Sequence, residues 1–284
     1  MTLLIIAIFL YTLIFIVMKL FERYEVDNFS AISINYLVAA VSGILIFNRV
    51  LDFNYEAGMW VIAVIVGVIF YGVFHLFAIC SQKISITMTA MASKMSVVIP
   101  IIVTLFLFNE SITILKIVGI IVIIISLYLM LKPDKQNPIK RSLLLIPISI
   151  FIFTGISDTL FKVTQVSYNI NDAIMSAQFV SLVFALSFIS AVVTAPFFKV
   201  KPKLFFQKKN IIAGLVLGLI NFLAVFFFTY SMIDFEGSLF FPIFNASVVG
   251  LTAISGMLLF KEKMSKINIF GLILAIFAIV LINL

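Results

Sequence analysis

Residues 110–131 read ESITILKIVGIIVIIISLYLML, and residues 262–284 read EKMSKINIFGLILAIFAIVLINL. Each stretch opens on a glutamate, has Thr or Ser three residues on (Thr113, Ser265) and Gly nine residues on (Gly119, Gly271), and continues as an almost unbroken apolar run. A run of about 20 apolar residues matches the roughly 30 Å of a bilayer's hydrocarbon core, so each reads as a transmembrane helix. The two copies lie 152 residues apart, which makes them landmarks of an internal repeat.

The repeat extends upstream. At an offset of 143, Lys19 meets Lys162, Asn28 meets Asn171, Ser33 meets Ser176, and Asn35 meets the amide of Gln178. At 146, Gly72 meets Gly218 and His75 meets Asn221, and at 152 Ser93 meets Asn245. The drift amounts to a few loop residues. Apolar runs separated by charged and turn-forming residues place spans at 2–20, 29–47, 57–80, 86–108, 112–131, 142–165, 172–196, 210–232, 237–260 and 264–283. Five spans per copy make the second copy enter the membrane in the opposite direction. The charges agree, because the Glu110 loop is nearly free of lysine whereas the Glu262 loop carries Lys261, Lys263 and Lys266. The expected fold is all-α and integral to the membrane, with ten helices in two inverted five-helix repeats at 1–131 and 142–284, joined by a basic linker at 132–141.

Composition supports a lipid environment: 64% of the 284 residues are hydrophobic and 11% charged, more apolar surface than a soluble domain can bury. The first span has neither a basic stretch before it nor a cleavage site after it, so it is expected to stay as a mature helix. The single cysteine, Cys80, excludes an internal disulfide and a thiolate metal cluster, and no metal or cofactor is expected. A net charge of +7 would suit a nucleic-acid partner, but the basic residues lie in short loops, where topology explains them better. Fourteen of the 19 Lys and Arg residues fall in odd-numbered loops, including Arg23, Lys83, the linker group Lys132, Lys135, Lys140 and Arg141, and the run Lys199, Lys201, Lys203, Lys208 and Lys209. Even-numbered loops hold only Arg49. Odd loops are therefore expected in the cytoplasm and both termini outside a plasma (inner) membrane.

Two five-helix halves, each closing on Glu, a short turn with Thr or Ser, and Gly in the last helix, resemble the EamA-like branch of the drug/metabolite transporter superfamily. The resemblance covers the whole chain. It implies ten helices around a central cavity, alternating access, and a small polar metabolite as cargo. One departure is visible: Pro100 precedes Glu110 by ten residues, whereas the matching place before Glu262 is Thr252 and the proline there is Pro242.

Polar groups inside spans are costly unless they face a bundle interior, so each is a candidate site residue. Lys94 lies eight residues into the fourth span, roughly 12 Å deep at about 1.5 Å per residue. An ammonium there needs a protein or substrate anion, unless it snorkels to the interface. Ser93 beside it and its match Asn245 are candidate substrate contacts. Asp158, the only carboxylate well inside a span, either carries a coupling proton or pairs with Lys162 one turn on. His75 and its match Asn221, Tyr71 one turn before His75, and the pair Asn35 and Gln178 either orient substrate or satisfy one another between helices. Pro100 and Pro242 mark possible kinks or gates. Glu110 and Glu262 fit helix ends better than binding, next to the capping residues Ser111, Thr113 and Ser265. Gly67, Gly72, Gly214 and Gly218 are expected to let helices approach closely.

These residues favour a secondary transporter, an exporter or exchanger of an amino acid or organic anion, and a monomer suffices to enclose a cavity. No G-x-x-x-x-G-K-[ST] sequence is present, which excludes ATP drive within the chain. A lipid flippase and a small-multidrug-type, proton-coupled exporter of cations are the alternatives. An intramembrane enzyme would need paired carboxylates, an H-E-x-x-H helix or a nucleophile with its base, which one histidine and one deep aspartate do not supply.

Overall fold

The expected spans fall on helices. In the computed structural model, which describes residues 2–47, 56–107, 113–131, 141–168, 170, 172–197, 202–231, 237–262 and 265–282, every regular element among the described residues is helical. They are α1 (Thr2–Arg23), α2 (Asn28–Phe47), α3 (Ala57–Lys83), α4 (Ile86–Met95), α5 (Val98–Leu107), α6 (Ile114–Leu131), α7 (Leu145–Ser167), α8 (Ala173–Thr194), α9 (Pro202–Phe205), α10 (Lys208–Ser231), α11 (Gly237–Phe260) and α12 (Lys266–Ile282). Six of them, α1, α2, α3, α7, α8 and α10, have the length and apolarity to cross a bilayer. Glu110, Ser111, Arg49, Asn171, Lys199, Lys201, Lys263 and most of the linker (132–140) lie outside the described residues, as do the side chains of Lys116, Arg141 and Pro242.

Two sequence expectations need correction. The fourth span, expected as one helix over 86–108, is broken into α4 and α5 at Ser96–Val97. Pro100 explains the place of the break. It has no N–H to return to the Ser96 carbonyl, which instead accepts from Ile99 N–H at 2.9 Å, and the proline sits in the first turn of α5, where its missing donor costs nothing. At Pro242 there is no such break, and α11 runs on from Gly237 to Phe260. The second correction concerns Gly72, where an added Cβ would meet nothing within 4 Å. It mediates no close approach.

The chain divides into two compact units, Met1–Ala78 with Leu160–Asp234, and Ile79–Thr159 with Phe235–Leu284. In the first, α2 packs against α8 and α10, and α1 packs against α10. Glycine makes the α2–α10 contact possible: a Cβ on Gly218 would stand 2.7 Å from the Asn35 carbonyl oxygen, and one on Gly214 would stand 2.8 Å from that of Ala31. Gly67 likewise admits Leu186 of α8. Between α3 and α8, Met59, Ala63 and Val66 bury against Phe179, Leu182 and Val183. The fully buried Tyr36 donates its hydroxyl to the Phe70 carbonyl at 2.6 Å, meeting the rule that a buried polar group needs a partner.

In the second unit α6 packs along α12, and α11 packs against α4 and α12. Ser265 caps α12 as expected, its hydroxyl accepting from Asn268 N–H at 3.2 Å. Asn268 also donates to the Leu129 carbonyl at 3.3 Å, tying the start of α12 to the end of α6. Outward positions in both units are apolar and exposed, among them Phe9, Val68, Leu258 and Ile273. Water makes a poor partner for such a surface and lipid a good one.

Candidate functional site

The second unit holds Lys94, Ser93, Asn245 and Asp158. α4 starts at Ser85, whose hydroxyl accepts from Met88 N–H at 2.9 Å. Its first turn receives a second cap from far along the chain: Glu262 Oε1 accepts from Ile86 N–H at 2.7 Å, and Oε2 accepts from Thr87 Oγ1 at 2.9 Å and from Thr87 N–H at 3.4 Å. Gly256 leaves room for this carboxylate, since a Cβ there would lie 2.5 Å from Oε2. Glu262 therefore serves a helix end, but the end belongs to the first repeat and not to the helix that follows it.

All of α4 is buried, and near its C-terminus stand Ser93 and Lys94. The Lys94 ammonium lies 4.8 Å from the centroid of the Phe244 ring on α11, a distance at which the negative face of the ring attracts a cation. Asp158 of α7 lies in electrostatic range of it. Asp158 in turn lies in electrostatic range of Lys94. Lys94 is buried whereas Asp158 is exposed. Asn245 follows Phe244 on α11 and is buried, and α11 packs against the α4 helix that bears Ser93.

Two further hydroxyls in this unit were not singled out by sequence reasoning. Thr154, one turn before Asp158, and Thr252, two turns after Asn245, each have a buried Oγ1 with no hydrogen-bond partner among the described residues. Such orphans are uncommon in native structures. Most buried hydroxyls among the described residues are satisfied locally, as with Ser33 on the Phe29 carbonyl at 2.7 Å and Thr159 on the Gly155 carbonyl at 2.7 Å, and that contrast was not visible in the sequence.

The first unit holds the other candidates. Asn35 and Asn221, both fully buried, are joined by a bond from Asn221 Nδ2 to Asn35 Oδ1 at 3.1 Å. Asn35 thus meets the amide matched to His75, while Gln178, its own repeat match, is half-buried on α8. Tyr71 and His75 do share a side of α3, with rings edge-on at 4.7 Å, and Phe29 packs on both. The Tyr71 hydroxyl pairs with Thr194 at 2.8 Å. His75 Nδ1 faces the Tyr71 carbonyl at 2.9 Å, and a carbonyl only accepts, so Nδ1 carries the proton. Nε2 is buried with no hydrogen-bond partner among the described residues.

The architecture defines a class, the helical multi-pass membrane proteins. Within it, a family model for EamA-like transporters matches residues 1–132 and again 140–284, so the chain belongs to the EamA-like transporter family. An uncharacterized protein of Haemophilus influenzae is 27% identical over 286 residues, covering 97% of this chain and 95% of its own. A crystal structure of another protein aligns over 98% of each chain with a TM-score of 0.63 at 12% identity, a likeness of fold alone.

Proposed function

We propose that this chain is a ten-span secondary transporter that moves a small polar solute with an acidic group, an amino acid or organic anion, by alternating access. The observation that carries the reading is the buried Lys94 ammonium over the Phe244 ring, in electrostatic reach of the exposed Asp158 carboxylate. A solute carboxylate takes Lys94, a solute amine takes Asp158, and the unpartnered hydroxyls of Thr154 and Thr252, with Ser93 and Asn245, supply neutral hydrogen bonds. The inverted repeat supports alternating access, because exchanging the conformations of the two copies exchanges the open side.

Counterflow in proteoliposomes against a panel of amino acids, organic acids and organic cations tests this. Lys94→Ala is expected to cut counterflow of the acidic solute by about tenfold or more, the worth of one charge-assisted hydrogen bond. Exchange driven by cations alone would overturn the reading. One observation favours that second reading, proton-coupled export of a cation: Asp158 is the exposed member of the charged pair. Asp158→Asn separates the two, since it abolishes proton-driven cation uptake in the second reading and leaves organic-anion exchange in the first.

A further inference from the structure

α9 and the start of α10 are held from beneath. Asn210, fully buried at the start of α10, donates Nδ2 to the Leu204 carbonyl at 2.7 Å and accepts from Asp27 N–H at 2.9 Å. Phe205 of α9 packs edge-on against Phe29 at 6.0 Å. The Lys209 ammonium lies 3.9 Å from Glu25 of the α1–α2 turn, an exposed pair. These contacts place α9, the start of α10 and the end of α1 at one end of the first unit, and they sort the side chains. Leu204 and Phe205 turn inward, while Lys203, Phe206 and Lys208 stand outward with Phe197 before them and Arg23 on α1.

The outward aromatics are large and almost bare: Phe197 is 80% exposed and Phe206 78%. Surrounding them with water forfeits roughly 1.5–3 kcal/mol of burial each. A protein partner is a poor answer, since lysines interleave with the rings and lysine is depleted at the core of protein interfaces. At the level where spans leave the hydrocarbon, isolated aromatics insert at the boundary between headgroups and acyl chains, and long basic side chains reach lipid phosphates.

The geometry points to an anionic-phospholipid site on this end of the first unit, with the headgroup phosphate on Lys203, Lys208 and Arg23 and the rings of Phe197 and Phe206 among the acyl chains. It rests on the chain's place in a membrane and not on the transport reading. The test reconstitutes the full chain, carrying Trp60→Phe and Phe206→Trp, into phosphatidylcholine vesicles with either brominated phosphatidylglycerol or brominated phosphatidylcholine at equal mole fraction. Indole quenching is expected to be about twofold or more stronger with the anionic lipid, and Lys203→Gln with Lys208→Gln removes the excess, at roughly fivefold in local lipid preference per basic residue. Phe197→Trp is the independent reporter should the first variant not fold. Equal quenching by both lipids, an excess that survives loss of the lysines, or an excess removed by soluble glycerol phosphate would each overturn the proposal.

Discussion

An ammonium in a membrane interior is costly unless a ring, a carboxylate or a solute stands opposite it, and Lys94 has the first two. Removing one member of a buried charged pair leaves the other uncompensated, whereas replacing both by apolar chains of similar volume is often neutral or stabilising. Lys94→Met together with Asp158→Leu is therefore expected to melt no lower than the unaltered chain while counterflow falls, and a large thermal loss in that double variant would mark the pair as structural. Asn35 and Asn221 behave oppositely. Their mutual bond is sealed from solvent, and Asn35→Leu leaves the Asn221 amide buried and unpaired, at about 1–3 kcal/mol. The double variant with Asn221→Leu should melt well above the sum of the two single losses, whereas strict additivity in thermal denaturation would show that the pair is not coupled.

At the scale of the element, α4 is a ten-residue helix with an interruption at one end and a borrowed cap at the other. Glu262 satisfies first-turn donors and sets its charge against the positive end of the helix. Glu262→Ala is expected to destabilise by roughly 1–3 kcal/mol and to lower transport through misplacement of Lys94. Ser265→Ala, which strips a cap from α12 only, should cost about 1 kcal/mol and spare transport. Thermal melts and counterflow measured side by side distinguish the two. The E-x-x-[ST] spacing made both residues readable as helix-end groups. It did not reveal that Glu262 reaches back 176 residues to Ile86, because spacing along the chain carries no record of which distant backbone a side chain meets. Gly72 and Gly218 teach the same lesson. They are repeat partners, yet only Gly218 lies against a backbone. Gly218→Ala should lower thermal stability by about 1–3 kcal/mol as overpacking, and Gly72→Ala should be silent.

At the scale of the whole molecule, the apolar runs made the helices legible and the repeated Glu, Ser or Thr, and Gly made the two copies legible. The compact units were not, since each takes helices from both copies and hydropathy has no term for tertiary partners. The break in α4–α5 was half legible, because Pro100 signalled a disturbance but the uninterrupted α11 shows that the proline-bearing copies need not match. The expected orientation rests on the lysines and on an odd number of spans per copy together, so measuring it is the sharpest test of the proposed ten-span architecture. Lys203, in an odd-numbered loop, and Glu56, at the end of an even-numbered one, are both exposed, and the native Cys80 is buried. Variants with one added cysteine, Lys203→Cys or Glu56→Cys, probe the two loops while the buried Cys80 stays out of reach. An impermeant maleimide applied to intact cells is expected to label the Glu56→Cys variant directly and the Lys203→Cys variant only after permeabilisation. Because five spans separate these loops, labelling of both from one side would mean that a span between them does not cross. Labelling in the reverse order would keep the ten spans and turn the protein over, moving the basic end of the first unit away from the cytoplasmic leaflet.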